Sequence, residues 1–274
     1  MKRWIAALLL LFLFPVARAE DVPTGDGLRA AGPVETVPWR TAGELCPALA
    51  GGELAPARIY ALGEPDLRLS VAALETGRDG PTIYVVAGAH GDEPAGILAA
   101  DLLGTAGLAS GRLYVLARAN AWGCERRFRA SEDGEDLNRA YPGSAEGGLS
   151  ARAAAAVFSD IASVRPDLVL DLHEAHSAAG EADFLGNTIL SASLDGIEDA
   201  VLSLVEKSAA GGLCSAPFTL TGPPVPGSLA AEVTAKLGIP AATIETWREG
   251  DIGARVGDHL TIVAHFLAEL EAQP

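Results

Sequence analysis

The stretch TIYVVAGAHGDEPAGILAADLLG, residues 82–104, decides the fold. Thr82 to Gly88 is a continuous apolar run with β-branched side chains, the pattern of a strand covered on both faces. Glu93 to Gly104 follows with helical spacing and acidic residues at its start, where they complement a helix N-terminus. A buried strand running directly into a helix is half of a βαβ unit. Between the two sit His90, Asp92 and Glu93, which a purely structural turn does not need.

The same alternation continues outward. LRLSVAALET (67–76) partly alternates and reads as a strand, and RLYVLAR (112–118) as another. SARAAAAVFSDIASV (150–164) is Ala-rich and helical, with Ser150 placed to cap it. DLVLDLHEA (167–175) and IPAATIETW (239–247) are apolar strands ending in polar groups. Helical segments follow at IEDAVLSLVEKSA (197–209), GSLAAEVTAKLG (227–238) and VGDHLTIVAHFLAELEA (256–272). Strands alternating with helices predict an α/β domain with a largely parallel sheet. In such sheets ligands sit beyond the carboxyl ends of the strands. Three strand ends here carry imidazole or carboxylate: His90 with Glu93, His173, and Glu245. Residues 119–149 are charged, glycine-rich and aperiodic, and a connection that long in a compact domain is usually functional.

The chain opens with MKRWIAALLLLFLFPVARAED, a basic start, an apolar stretch too short to span a bilayer, and a small-x-small site at Ala17-Arg18-Ala19. Residues 1–19 are therefore expected to be a secretory signal peptide, with residues 20–274 forming one catalytic domain and 20–56 a loosely structured lead-in. The protein is expected to be exported, to the periplasm if bacterial or otherwise secreted, with no integral membrane segment after cleavage. The formal charge is −16, and cleavage would remove Lys2, Arg3 and Arg18, leaving it more acidic still. Such a surface disfavours nucleic acid and anionic membrane as partners, so neither is expected. Cys46, Cys124 and Cys214 are widely spaced and odd in number, and with no Cys-x-x-Cys they argue against a thiolate zinc site.

His90 and Glu93 lie three apart across a strand-to-helix turn, a spacing that lets an imidazole and a carboxylate converge on one ion. His173, at the end of LVLDLH, is the natural third ligand of a zinc site built from three protein groups with one open position. The alternative is that Glu93 only complements the helix start. DLHEAH offers a rival, but the zincin pattern places its histidines four apart on a helix. His173 and His176 are three apart and follow a strand, so His176 reads as a pocket-wall or loop residue. His259 and His265 fall in the closing helix and read as packing residues. In RRFRASEDGEDLNRAYPG (126–143), an otherwise acidic chain concentrates arginines. Asn138 and Arg139 offer amide donors and a guanidinium fork suited to a carboxylate, against the alternative of arginines paired within a solvated loop. Glu245 closes an apolar strand, where a lone carboxylate is costly unless paired. Beside a zinc site it would act as general base; otherwise it would pair with Arg248 or Arg255.

GAHGDEPAG, RASEDGEDLNRAYPG, DLHEA and TIET occur in the order of the zinc carboxypeptidase superfamily, and HGDEPAG and DLNRAYPG most resemble its succinylglutamate desuccinylase/aspartoacylase branch. The resemblance covers roughly residues 80–250. It implies a three-layer fold, a mostly parallel mixed sheet flanked by helices. It implies one zinc ion held by His90, Glu93 and His173, with Glu245 as general base and then general acid. Arg129, ten residues before Arg139, would stabilise the oxyanion. Asn138 and Arg139 would hold a substrate carboxylate, and Asp136 would orient a zinc-bound imidazole. The implied activity is hydrolysis of an amide bond near a free carboxylate, on an acyl-amino acid. The alternatives are an exported carboxypeptidase acting on peptides or cell-wall stem peptides, and an inactive ligand-binding relative. The mobile tyrosine that carboxypeptidases carry about twenty residues before the general base has no counterpart here: the region reads PPVPGSLAAEV. The pocket-narrowing C-terminal β domain of aspartoacylases is likewise not expected. Sequence leaves open the acyl group, the leaving amine, the oligomeric state and any cysteine pairing.

Overall fold

A computed structural model describes residues 35–51, 57–176 and 185–272. The expected signal peptide, residues 20–34 and residues 52–56 lie outside the described residues. Eight strands form one mixed sheet in the order β1-β2-β4-β3-β5-β8-β6-β7. They are β1 (Arg58–Leu62), β2 (Leu69–Glu75), β3 (Thr82–Ala87), β4 (Arg112–Leu116), β5 (Leu168–Ala175), β6 (Thr188–Ser191), β7 (Thr219–Thr221) and β8 (Ala241–Trp247). The central four, β4, β3, β5 and β8, are mutually parallel. Antiparallel pairing begins on either side, at β2 against β4 and β6 against β8. Every residue of β3 and β5 is buried, as a strand covered on both faces requires.

Helices cover both faces. On one lie α1 (Ala42–Leu45), α2 (Pro94–Leu103), α5 (Glu198–Ala209) and α7 (Ile252–Glu271). On the other lie α4 (Leu149–Val164) and α6 (Leu229–Leu237), while a short α3 (Ala121–Arg126) follows β4. Strand alternation divides the core: Ile83 and Val85 face the first layer, Tyr84 and Val86 the second. Each layer contributes a continuous apolar surface, and burial of this area is the main favourable term in folding. Among the described residues no helix is long and apolar enough to cross a membrane.

Several local expectations change in the tertiary structure. Residues 35–51 are not a loose lead-in: Ala42, Cys46 and Leu49 are buried in the first core layer. Their order comes from docking on α2 and α7, which no local periodicity announces. The cap of α4 is Gly148, not Ser150. Ser150 lies inside the first turn, where Asp133 accepts hydrogen bonds from its N–H and its hydroxyl, both at 2.8 Å. The edge strands β1 and β7, and β6 next to β7, escaped the sequence reading because they are short and partly or wholly exposed. All three cysteines are free thiols.

Candidate metal centre

The site forms at the carboxyl ends of β3, β5 and β8. Strand β3 stops at Ala87, and Gly88 turns the chain with φ +68°. Gly91 then passes so close to α3 that a Cβ there would lie 2.0 Å from the Gly123 carbonyl carbon. Only glycine permits that approach, which brings His90 over the sheet end. Glu93 caps α2, with Pro94 in the first helical position. On β5, the pleat puts Asp171 and His173 on one face and Glu174 on the other. Register pairs His173 with Glu245 on β8, so these two side chains are neighbours on the α4/α6 side of the sheet.

His90, Glu93 and His173 are all buried, and their ligand atoms lie within 4.8 Å of one another. His90 Nδ1 is 2.7 Å from Glu93 Oε1, and His173 Nδ1 is 2.8 Å from Glu93 Oε2. The two Nδ1 atoms are 3.1 Å apart. Each ring is held from behind. His90 Nε2 donates to Asp136 Oδ1 at 3.0 Å, and His173 Nε2 lies 3.0 Å from Asp171 Oδ2. With the His90 Nε2 proton directed at Asp136, its Nδ1 lone pair faces Glu93, and His173 turns its Nδ1 toward the same carboxylate. Three electron-pair donors at such distances repel one another unless positive charge sits among them. Electrostatics shows the same demand. Burial opposes charge on His173, yet Asp171 and Glu93 outweigh it and raise the imidazole pKa well above its ordinary value. Burial likewise opposes the Glu93 carboxylate, yet His90 and His173 hold its pKa well below the usual range. Two imidazoles and one carboxylate, each backed by a partner, form a donor set that fits a divalent metal of the zinc type. A second acidic group, Asp92, Glu93 and His176, also clusters nearby. There the Arg248 guanidinium already supplies the cation, 3.4 Å from Asp92 Oδ2 and 2.7 Å from His176 Nδ1.

Glu245 is only partly exposed, and burial pushes its carboxyl up to about 7, with His173 pulling the other way. Neither of the two arginines that the sequence offers it as partners reaches it. Arg248 is held by Asp92 and His176, and Arg255 by Glu174 and Glu35. Among the described residues its carboxylate accepts no hydrogen bond, which leaves it available to a reactant. Arg129 reaches in from the exposed side and donates to Glu93 Oε1 and Asp136 Oδ2, both at 3.2 Å. Asp136 itself accepts from His90, from Arg129 and from the Asn138 N–H at 2.8 Å, and so ties the loop to the ligand.

Asn138 lands elsewhere than beside Arg139. It is buried behind His173, its Oδ1 accepting the Leu229 N–H at 3.0 Å and its Nδ2 3.2 Å from His173 Nε2. Its amide therefore supports the site from within. Arg139 is exposed and spends one nitrogen on the Asn138 carbonyl at 2.7 Å. His176 stands at the rim, 3.3 Å from Glu93 Oε1. His259 and His265 are buried in α7, His265 Nε2 donating to the Ala200 carbonyl at 2.9 Å. The sequence reading missed Asp171 and offered Arg248 only as a partner for Glu245. Asp171 had a signal, since Asp-x-His on a strand places both side chains on one face. Nothing local pointed Arg248 at Asp92 and His176.

Residues 79–211, just under half of the chain, match the succinylglutamate desuccinylase/aspartoacylase catalytic domain. A segment of 99 residues is 35% identical to N-alpha-acetyl-L-2,4-diaminobutyric acid deacetylase of Halomonas elongata, covering 35% of this chain and 29% of that one. A succinylglutamate desuccinylase/aspartoacylase from Rhodobacter sphaeroides superposes with TM-score 0.57 at 22% identity, over 74% of this chain and 58% of that one. Csd4 of Helicobacter pylori, described as a D,L-carboxypeptidase, superposes with TM-score 0.60 at 19% identity, over 71% of this chain and 52% of that one. The chain thus spans less than two thirds of the length of each of these relatives. Residues 79–211 are similar to the succinylglutamate desuccinylase/aspartoacylase catalytic domain, and the chain shares the fold of solved succinylglutamate desuccinylase/aspartoacylase and carboxypeptidase structures.

Proposed function

We propose that this chain is a zinc-dependent hydrolase that cleaves an amide bond next to a free carboxylate, with an acyl-amino acid as substrate. The observation that carries it is the convergence of His90 Nδ1, His173 Nδ1 and the Glu93 carboxylate, with Glu245, whose carboxylate accepts no hydrogen bond among the described residues, next to His173. These three residues would hold one zinc ion per chain. Bound there, zinc supplies Lewis acidity, which polarises a carbonyl and acidifies water. Glu245 takes the proton from the attacking water and returns it to the leaving nitrogen. Its carboxyl, raised to about 7, is matched to both tasks near neutral pH. Arg129 has an exposed guanidinium beside Glu93 and donates to the oxyanion as it develops, a role typically worth ~3 kcal/mol. Arg139 receives the substrate carboxylate, while Asn138 keeps His173 and the loop in place. We further assign residues 1–19 to a signal peptide and 20–274 to one catalytic domain, exported to the periplasm or secreted.

The second reading is an exported metallocarboxypeptidase acting on peptides, favoured by the fold shared with the H. pylori enzyme described as a D,L-carboxypeptidase. An inactive binding relative is disfavoured by Glu245, a half-buried carboxylate beside His173 that ligand binding does not need. The test is a hydrolysis screen of the purified, zinc-loaded protein. It sets N-acyl amino acids against peptides ending in D- or L-residues. Turnover of the acyl-amino acids, lost on chelation and restored by zinc, is the expected result. Turnover of peptides alone transfers the assignment to the second reading, and zinc binding without any turnover to the third.

A further inference from the structure

Behind the ligands, on the opposite face of β5, lies a buried ion pair to which the proposed reaction gives no role. The Glu174 side chain is fully buried against α2 and α7. One of its oxygens meets Arg255 Nη1, and the other accepts the Ala95 N–H at 2.9 Å, in the first turn of α2. Its own backbone N–H donates to Glu93 Oε2 at 3.1 Å. One residue therefore holds the turn twice: its main chain grips the Glu93 carboxylate, and its side chain grips the helix two residues later. A buried carboxylate persists as an anion only with a counter-charge. Arg255 provides it and is itself locked. Its Nε donates to the Gly250 carbonyl at 2.9 Å and its Nη2 to Glu35 Oε1 at 2.9 Å.

We infer that Arg255, acting through Glu174, is a positioning residue that fixes the Glu93 carboxylate toward His90 and His173. The inference rests on the metal-site reading above. Neither Arg255 nor Glu174 presents a side-chain atom to the ligand cluster, so any effect must travel through the α2 turn and the Glu174 N–H. Lysine retains the charge but cannot bridge two carboxylates and a carbonyl with a planar fork. Without the fork, Glu174 no longer clamps the start of α2, and Glu93 gains rotational freedom.

The experiment compares wild type, Arg255→Lys and Glu174→Gln, with Arg118→Ala as a control at an exposed ion pair with Asp101. Each protein is stripped of metal and checked for native near-UV dichroism. It is then titrated with cobalt(II) alone, read by the visible absorption band and by competition with a chromophoric chelator. Folded Arg255→Lys and Glu174→Gln should bind cobalt about 10–100-fold more weakly than wild type, with an altered band, as outer residues of metal sites do. The control should match wild type. Wild-type affinity and band in the folded variants would overturn the positioning role and leave the pair as a stabilising contact only. If Arg255→Lys does not fold, Glu174→Gln decides by the same two readouts. Failure of wild type to bind cobalt would instead strike the metal-site reading itself.

Discussion

The ligand cluster and the rim above it hold their polar side chains in opposite ways. His90, Glu93 and His173 are almost wholly buried, and each is held by further groups: Asp136, Glu174 N–H and Asp171. Arg129, Arg139, His176 and Arg248 stand partly or largely exposed on side chains with many rotatable bonds. The cluster is attached to strand ends and a helix cap, so backbone geometry decides where its atoms lie. The rim is attached to loops, so solvent and substrate share in deciding its geometry. Burial makes each lost partner in the cluster expensive, because a desolvated polar group has no water to replace it. At the rim, water and salt screen each contact. Substitutions in the cluster should therefore act on metal binding as a whole, whereas those at the rim should act on particular substrates.

The largest effect is expected from His173→Ala, which should leave less than a tenth of the wild-type metal content and no measurable turnover, because a site of three protein ligands has none to spare. His176→Ala, only 3.3 Å from Glu93 yet at the rim, should retain its metal. Elemental analysis of the two purified variants checks the contrast, and metal loss in the His176 variant alone would reverse it.

Glu245→Gln should keep metal and fold while losing kcat by about 10²–10⁴-fold. Stability should move the other way. In the metal-stripped protein the folded carboxyl holds its proton to about 7, whereas the unfolded one releases it near 4.5. The unfolded state then binds fewer protons between these values, so wild-type stability falls as pH rises through that window. Relative to wild type, the Gln variant should gain on the order of 1–3 kcal/mol between pH 5 and pH 8. Urea titrations at the two pH values measure this, and a pH-independent difference would show that burial does not govern Glu245.

Asp136 joins the two regions, since it accepts from both His90 and Arg129. Asp136→Asn should weaken metal affinity about 10–100-fold, as loss of a carboxylate behind a ligating imidazole does elsewhere. Chelator competition reads this directly. An unchanged affinity together with reduced kcat would place Asp136 with the rim.

The smallest effect is expected at Arg139. Arg139→Lys should lower kcat/KM about tenfold on a substrate with a free carboxylate, by loss of the bidentate fork. The loss should shrink on the matched amide. Equal losses on both substrates would remove the carboxylate anchor and leave Arg139 as a loop residue.

Much of this protein was legible in one dimension. Apolar runs that must be buried on both faces specified β3, β5 and β8, and helical spacing specified α2, α4, α5, α6 and α7, because these periods follow from local geometry. Strand ends in an α/β sheet face its ligand side, so His90, Glu93, His173 and Glu245 stood out without coordinates. What lay beyond the sequence depends on contacts between distant segments. Residues 35–51 gained order only by docking on α2 and α7, and the edge strands by pairing with the sheet. Asn138 turns inward, where its Oδ1 accepts the Leu229 N–H from 91 residues away. Arg255 reached Glu174 across 81 residues, and Arg248 reached Asp92 across 156. Local pattern sets which residues a strand or helix can bury. Which buried charge meets which partner is decided only when the whole sheet has closed, since the cost of an unpaired buried charge is imposed by the assembled interior.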